Sequence, residues 1–262
     1  MLVQTIFAVL SGGLVGFTLG LIGGGGSILA TPLLLYVVGL QPHVAIGTGA
    51  LAVSVNAFAN FAGHARAGNV RWREAAIFAG VGMAGAAVGA AFGKGFDGQR
   101  LLFLFAVLMV AVGILVLRRG DPQPVTRGSQ PVRPAGGLPL AAICALGVGV
   151  LAGFFGIGGG FLVVPGLIFS TGMPMLYAIG SSLLAVGALG TTTALSYATS
   201  GLVDWRVAAE YIVGGLAGGY LGMRLAGHLG HRKATLNRIF AGLIFLVAAY
   251  MLYRNAAAFG RL

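Results

Sequence analysis

Charge is scarce in this chain of 262 residues: 8% are Asp, Glu, Lys or Arg, and only five are acidic. A soluble domain carries about 25% charged residues, so 58% hydrophobic residues and a mean hydropathy of +0.96 leave an integral membrane protein as the class. Cysteine is scarcer still. Cys144 stands alone in an apolar run, which excludes a disulfide framework and a thiolate metal cluster. No Asp or Glu lies at the centre of an apolar run, which argues against a cation site and for an anionic or neutral ligand. Gly20-x-x-Gly23 lacks the Lys-Ser/Thr ending and the adjoining strand of a phosphate loop. No His-x-x-x-His lies on an apolar face, so no metal is expected. Nor is there a nucleophile with a base, which speaks against an enzyme and against any cofactor.

What is present is apolar and long-running. Segments at about 4–22, 27–40, 43–62, 74–93 and 101–117 are followed by others at about 138–155, 161–172, 176–197, 207–227 and 236–253. Such runs are helices rather than the alternating ten-residue strands of a barrel. The expected fold is all-α and polytopic, with five segments in each half.

The halves repeat. At an offset of 133, 27 of the 75 positions in 15–89 are identical to their counterparts, against roughly a tenth by chance. The identities include Gly23/Gly156, Gly25/Gly158, Gly26/Gly159, Pro32/Pro165, Ala45-Ile46-Gly47 with Ala178-Ile179-Gly180, and Trp72-Arg73 with Trp205-Arg206. This predicts one membrane repeat over 1–117, a proline-rich polar linker over 118–137, and a second repeat over 138–262. An odd number of crossings per repeat turns the second copy upside down. The basic loops agree: Arg66, Arg71, Arg73, Arg118, Arg119, Arg127, Arg133, Arg224, Arg232, Lys233 and Arg238 fall on one side, the cytoplasmic one. Both termini are then outside, and the first helix is retained rather than cleaved as a signal. The net charge of +11 is an orientation signal, not a nucleic-acid footprint.

Each half carries a glycine run followed by a proline: Gly20-Leu21-Ile22-Gly23-Gly24-Gly25-Gly26-Ser27 to Pro32, and Gly153 through Gly156-Ile157-Gly158-Gly159-Gly160 to Pro165. The helix is expected to break there, and backbone freed at membrane depth must be buried in protein or line a cavity. Paired breaks at matching places are the best sequence pointer to a transporter's binding site. A helix starting after such a break turns its positive end to an anion. Gly24, Gly25, Gly26 and Ser27, with Gly158, Gly159 and Gly160, are the resulting substrate-binding candidates; the competing reading is that they only let helices pack closely.

Neutral side chains punctuate the spans: Thr18, Thr31, Thr48, Ser54, Asn56 and Asn60, then Ser181, Ser182, Thr191, Thr192, Thr193, Ser196 and Tyr197. Thr48 aligns with Ser181 and Asn60 with Thr193, so these four join the substrate-binding candidates. Glu210, four residues after Arg206, reads as one half of an interfacial ion pair. His43, at an interface, needs no function. Trp72 and Trp205 read as interfacial anchors.

The two glycine runs with their prolines, the Ala-Ile-Gly-Thr and Ala-Ile-Gly-Ser starts, and the Gly68-Asn69-Val70-Arg71-Trp72 and Gly201-Leu202-Val203-Asp204-Trp205 loops together resemble the TauE/SafE family of sulfite-exporter-like membrane proteins. The resemblance covers nearly the whole chain. It implies movement of small sulfur-containing anions, such as sulfite or organosulfonates, across a bacterial inner membrane, with export the expected direction. Alternatives of other kinds are an anion channel, a carrier of another small anion such as a carboxylate, a membrane-embedded enzyme, or a scaffold. With no ATP-binding motif, active movement draws on a proton or sodium gradient or on a separate partner. The expected partners are thus a small anion, the lipid bilayer, a coupling proton or sodium ion, and a second copy in a homo-oligomer, with no nucleic acid.

Overall fold

The structure is a computed structural model and describes residues 2–118, 137–156, 160–228, 242 and 245–254. The described residues are helical, without a strand. In chain order the helices are α1 (Leu2–Ile22), a 3₁₀ segment (Gly23–Leu29), α2 (Ala30–Tyr36), α3 (Pro42–Arg66), α4 (Trp72–Lys94), α5 (Gly98–Arg118), α6 (Gly137–Phe155), α7 (Gly160–Thr171), α8 (Met175–Ala198), α9 (Trp205–His228) and α10 (Phe245–Arg254). Among the described residues, five spans are long and apolar enough to cross a membrane: Leu2–Tyr36, Pro42–Arg66, Trp72–Lys94, Leu138–Phe155 and Leu176–Ala198. The predicted linker, 118–137, falls almost wholly outside the described residues.

Local chemistry sets the ends of these helices. Pro42 occupies the first turn of α3, where a missing N–H costs nothing. Asp97 Oδ1 accepts from the N–H of Arg100 at 2.9 Å, and Asp204 Oδ1 from that of Val207 at 3.0 Å, each capping the helix that follows. Among the described residues, the six glycines at positive φ fall into three pairs at the repeat offset: Gly23 (76°) and Gly156 (64°), Gly39 (84°) and Gly172 (65°), Gly68 (71°) and Gly201 (70°). After α3 and α8 the same closure follows, with Asn69 N–H donating to His64 O and Leu202 N–H to Tyr197 O, both at 3.0 Å. Any residue but glycine would cost about 1–2 kcal/mol in this backbone region.

Helices of one half pack on helices of the other. Along α1 and α9, β-carbons at Gly12, Gly16 and Gly20 would fall on the backbone oxygens of Tyr211, Gly215 and Gly219, and those at Gly214, Gly218 and Gly222 on the oxygens of Val9, Gly13 and Phe17. The pair α4 and α6 repeats this, with Gly85, Gly89 and Gly93 against Leu146, Val150 and Phe154, and Gly149 and Gly153 against Gly82 and Ala86. Small residues four apart let membrane helices approach backbone to backbone. Between these two tight pairs, α3 and α8 cross antiparallel. The start of α3 meets the end of α8, where Gly47 lies against Leu202 and Tyr197; the end of α3 meets the start of α8, where Gly180 lies against Asn69 and His64.

Candidate functional site

The first glycine run leads from α1 through Gly23 into seven residues of 3₁₀ helix, all of them buried. The sequence suggests backbone released from hydrogen bonding. Instead the chain is wound more tightly, and the N–H of Ala30 still finds the carbonyl of Ser27. Runs of 3₁₀ helix beyond three or four residues are uncommon, and one within a longer helix often marks a hinge or strain. In the second half α6 ends at Phe155, Gly156 takes positive φ and α7 begins at Gly160; Gly158 and Gly159 lie outside the described residues. At twelve residues, α7 rises about 18 Å, well short of the ~30 Å of hydrocarbon. The seven-residue α2 is shorter still.

The two breaks meet. A β-carbon at Gly24 would strike the carbonyl oxygen of Gly160, and one at Gly160 would strike that of Gly24 and come within 2.6 Å of Ser27 Oγ. Ser27, fully buried, donates to Gly24 O at 3.0 Å. Gly26 lies against Thr18 Oγ1 and the backbone of Leu19, so the segment folds back on α1. Gly25 is buried within the same 3₁₀ turn. The N-terminus of α7 therefore opens onto backbone supplied by the first half.

The shared Ile-Gly-Thr/Ser motif closes this centre from both ends. Ile179 packs on Gly23 and Ile46 on Gly156, each covering the positive-φ glycine of the opposite break. Thr48 Oγ1 accepts from the N–H of Asp204 at 3.0 Å, and Ser181 Oγ from that of Arg71 at 2.9 Å. Both hydroxyls thus hold the loop before a helix of the other half, and each keeps its own hydrogen for a further acceptor. Thr193 bonds back to Leu189 O at 3.0 Å, the ordinary self-satisfied arrangement of a helical hydroxyl. Asn60 lies apart from these, beside Gly20 of α1 and Gly219 of α9.

Several buried polar atoms have no partner among the described residues: Thr31 Oγ1, both side-chain atoms of Asn56, Asn60 Oδ1, both ring nitrogens of His64, and the hydroxyls of Tyr197 and Tyr211. Asn56, His64 and Tyr211 were not among the candidates chosen by alignment of the repeats. Their signal in sequence was rarity: polar side chains in otherwise apolar helices, at positions whose counterparts are Leu189, Tyr197 and Phe78. No group of three or more His, Cys, Asp or Glu that could hold a metal occurs among the described residues. Arg206 Nε pairs with Glu210 Oε1 at 3.1 Å, and the same oxygen accepts from Thr5 at 2.9 Å.

The Sulfite exporter TauE/SafE family matches residues 8–251. The chain belongs to the TauE/SafE family. A relative from Xylella fastidiosa, named "Probable membrane transporter protein", is 54% identical over 260 residues, covering 98% of this chain and 99% of its own. The "Probable membrane transporter protein YdhB" of Bacillus subtilis is 26% identical over 80% of this chain and 86% of its own. An archaeal relative, "Probable membrane transporter protein MJ0441" of Methanocaldococcus jannaschii, is 25% identical over 71% of each. No solved structure matches the chain. This TauE/SafE protein is a multi-pass membrane transporter and not an enzyme.

Proposed function

We propose that this TauE/SafE protein is a secondary transporter that exports small sulfur-containing anions, such as sulfite or organosulfonates, across a bacterial inner membrane. The two halves act as inverted repeats, and the anion binds where the glycine breaks face each other. The observation that carries this reading is the mutual contact of Gly24 and Gly160. It joins a buried 3₁₀ turn from one half to a helix N-terminus from the other, at counterpart places in the two repeats. A helix N-terminus supplies about half a positive charge, and glycine lets a ligand reach backbone N–H groups. The nearby side chains, Thr18 and Ser27, are neutral, and no carboxylate in the middle of a span competes for the site.

Flux in proteoliposomes tests it, with labelled sulfite, thiosulfate, a sulfonate and a small carboxylate offered in turn under proton and sodium gradients. Sulfur oxyanions are expected to move and amines to be ignored. Saturable, gradient-driven flux marks a carrier rather than a channel. Tight binding of a divalent metal cation with no response to any oxyanion would overturn the reading.

A further inference from the structure

Asn56 and Asn60 stand one turn apart on α3, at 0% and 2% exposure. Asn60 Nδ2 donates to the backbone oxygen of Asn56 at 2.8 Å. That bond fixes the amide's orientation, because exchanging its oxygen and nitrogen would set two oxygens against each other. Asn60 Oδ1 is therefore the free atom, 3.1 Å from where Gly20 would carry a β-carbon. Asn56 lies against Gly215 and Asn60 against Gly219, so two glycines of α9 make the room the amides occupy. Gly20 is three residues before Gly23, where α1 gives way to the 3₁₀ turn. Asn60 thus lies beside the last turn of α1 before the glycine break, and Asn56, against Gly215 and so level with Gly16, lies one turn further from it.

The other half shows that the fold does not need them. Their counterparts on α8 are Leu189 and Thr193, both buried. Leu189 lies against Gly82, the counterpart of Gly215, and the Thr193 hydroxyl is satisfied within its own helix. A leucine and a self-satisfied threonine fill one site, while its twin keeps three unpaired polar atoms, a costly state for buried groups. Thr18 and Thr31 continue the contrast, opposite Leu151 and Val164.

The unpaired atoms define a complement: two N–H hydrogens on Asn56, and two acceptor oxygens, one on each residue. A fully deprotonated dianion has no hydrogen for those oxygens. A monovalent oxyanion that keeps one O–H satisfies both kinds of group. We propose that Asn56 and Asn60 form the substrate's recognition site and select a small monovalent oxyanion carrying one O–H, hydrogensulfite being the probe, over its dianion. This rests on the anion-transport reading and adds the residues and the protonation state. The proton would then travel on the substrate.

Among the elements packed here, α1 carries no Asp, Glu, Lys, Arg or His. Helix α9 carries Glu210, held by Arg206, with Tyr211, Tyr220, Arg224 and, as its last residue, His228; α3 carries His43, Arg66 and His64, the last one turn beyond Asn60; α8 carries Tyr177 and Tyr197, α2 Tyr36, and α5 Arg100 and Arg118. His64 is the histidine nearest the amides, so the test must separate any titration of its ring from the ligand's. Equilibrium binding of labelled sulfite and labelled methanesulfonate to purified full-length protein does so, measured through the neutral range. Sulfite affinity is expected to fall about tenfold for each pH unit above its second ionisation, as the competent species is depleted. Methanesulfonate, which has no such ionisation, is expected to bind more weakly and without pH dependence.

The double variant N56L/N60T gives this site the twin's side chains and is expected to lose sulfite affinity about tenfold or more. N56D keeps the shape, removes the donors and is expected to lose it as much, which covers misfolding of the double variant. Wild-type binding in either folded variant overturns the proposal alone. So does a sulfite affinity that is flat with pH, or a methanesulfonate affinity that falls in parallel with it, which would point to His64. Wild-type protein that binds no oxyanion overturns this proposal and the transport reading together.

Discussion

The hydroxyl of Ser54 donates to the carbonyl oxygen of Gly187 at 2.7 Å across 133 residues, and the two are counterparts in the repeat. On the proposed inverted-repeat reading, counterpart residues touch only near the axis that relates their copies, which places this bond at the centre of the α3–α8 crossing. Thr191 donates to the same carbonyl at 2.8 Å and supports it when Ser54 is lost. Ser54→Ala is therefore expected to cost about 0.5–1.5 kcal/mol, a fall of about 2–4 °C in melting temperature per kcal/mol. Thermal unfolding in detergent reads this directly. A much larger loss would mean that the axis depends on one hydroxyl.

Thr48 and Ser181 make the same bond at opposite ends of the α3–α8 pair. Thr48→Val and Ser181→Ala each strand a backbone N–H, at about 1–3 kcal/mol. The sites share no partner, so the double variant is expected to lose the sum of the two to within about 0.5 kcal/mol. Strong non-additivity in the melts would show that the two ends are coupled.

A single methyl group separates packing from gating at the breaks. Gly24→Ala places it against the oxygen of Gly160, whereas Gly80→Ala meets nothing within 4 Å. The first is expected to reduce transport tenfold or more in protein that still inserts and purifies. The second is expected to leave transport intact and stabilise α4 by about 0.5–1 kcal/mol. Equal flux from both variants would leave the break without a role in movement.

Topology is testable at three exposed loop positions, Ala67, Asp97 and Ser200. After Cys144 is replaced, single cysteines at Asp97 and Ser200 are expected to react with an impermeant thiol reagent on whole cells, and one at Ala67 only after lysis. Labelling of the Ala67 site on intact cells would reverse the orientation read from the arginines.

Glu210 lies on the rim. Its partner Arg206 is 53% exposed in the side chain, and such pairs contribute about 0–1 kcal/mol. Glu210→Gln is expected to keep both transport and its pH profile. Loss of gradient-driven flux with passive exchange retained would make this carboxylate the coupling site.

Most of the architecture was legible because a membrane helix announces itself by length and hydropathy, and because the chain states its plan twice. The Ala-Ile-Gly identities were visible as a repeat, but not as contacts. That Ile46 covers Gly156 while Ile179 covers Gly23 depends on the halves interlocking, and one-dimensional spacing does not encode it. The glycine runs were found at once. Whether their backbone opens or tightens depends on what presses against it, here Gly160 and Thr18, so the 3₁₀ winding was not foreseen. Alignment of the repeats favoured positions polar in both halves. It passed over Asn56, whose polarity matters because Leu189 does not share it.

The glycine seams between α1 and α9, and between α4 and α6, bear on mechanics. Backbone lies directly against backbone along each seam, with no room for a side chain between the two helices. Each behaves as a stiff plank. Each plank is made of one helix from either half, so in the proposed carrier a stroke cannot swing one half of the sequence against the other. The hinge has to run between planks, through the α3–α8 crossing, with α2 and α7 as the short pieces light enough to swing.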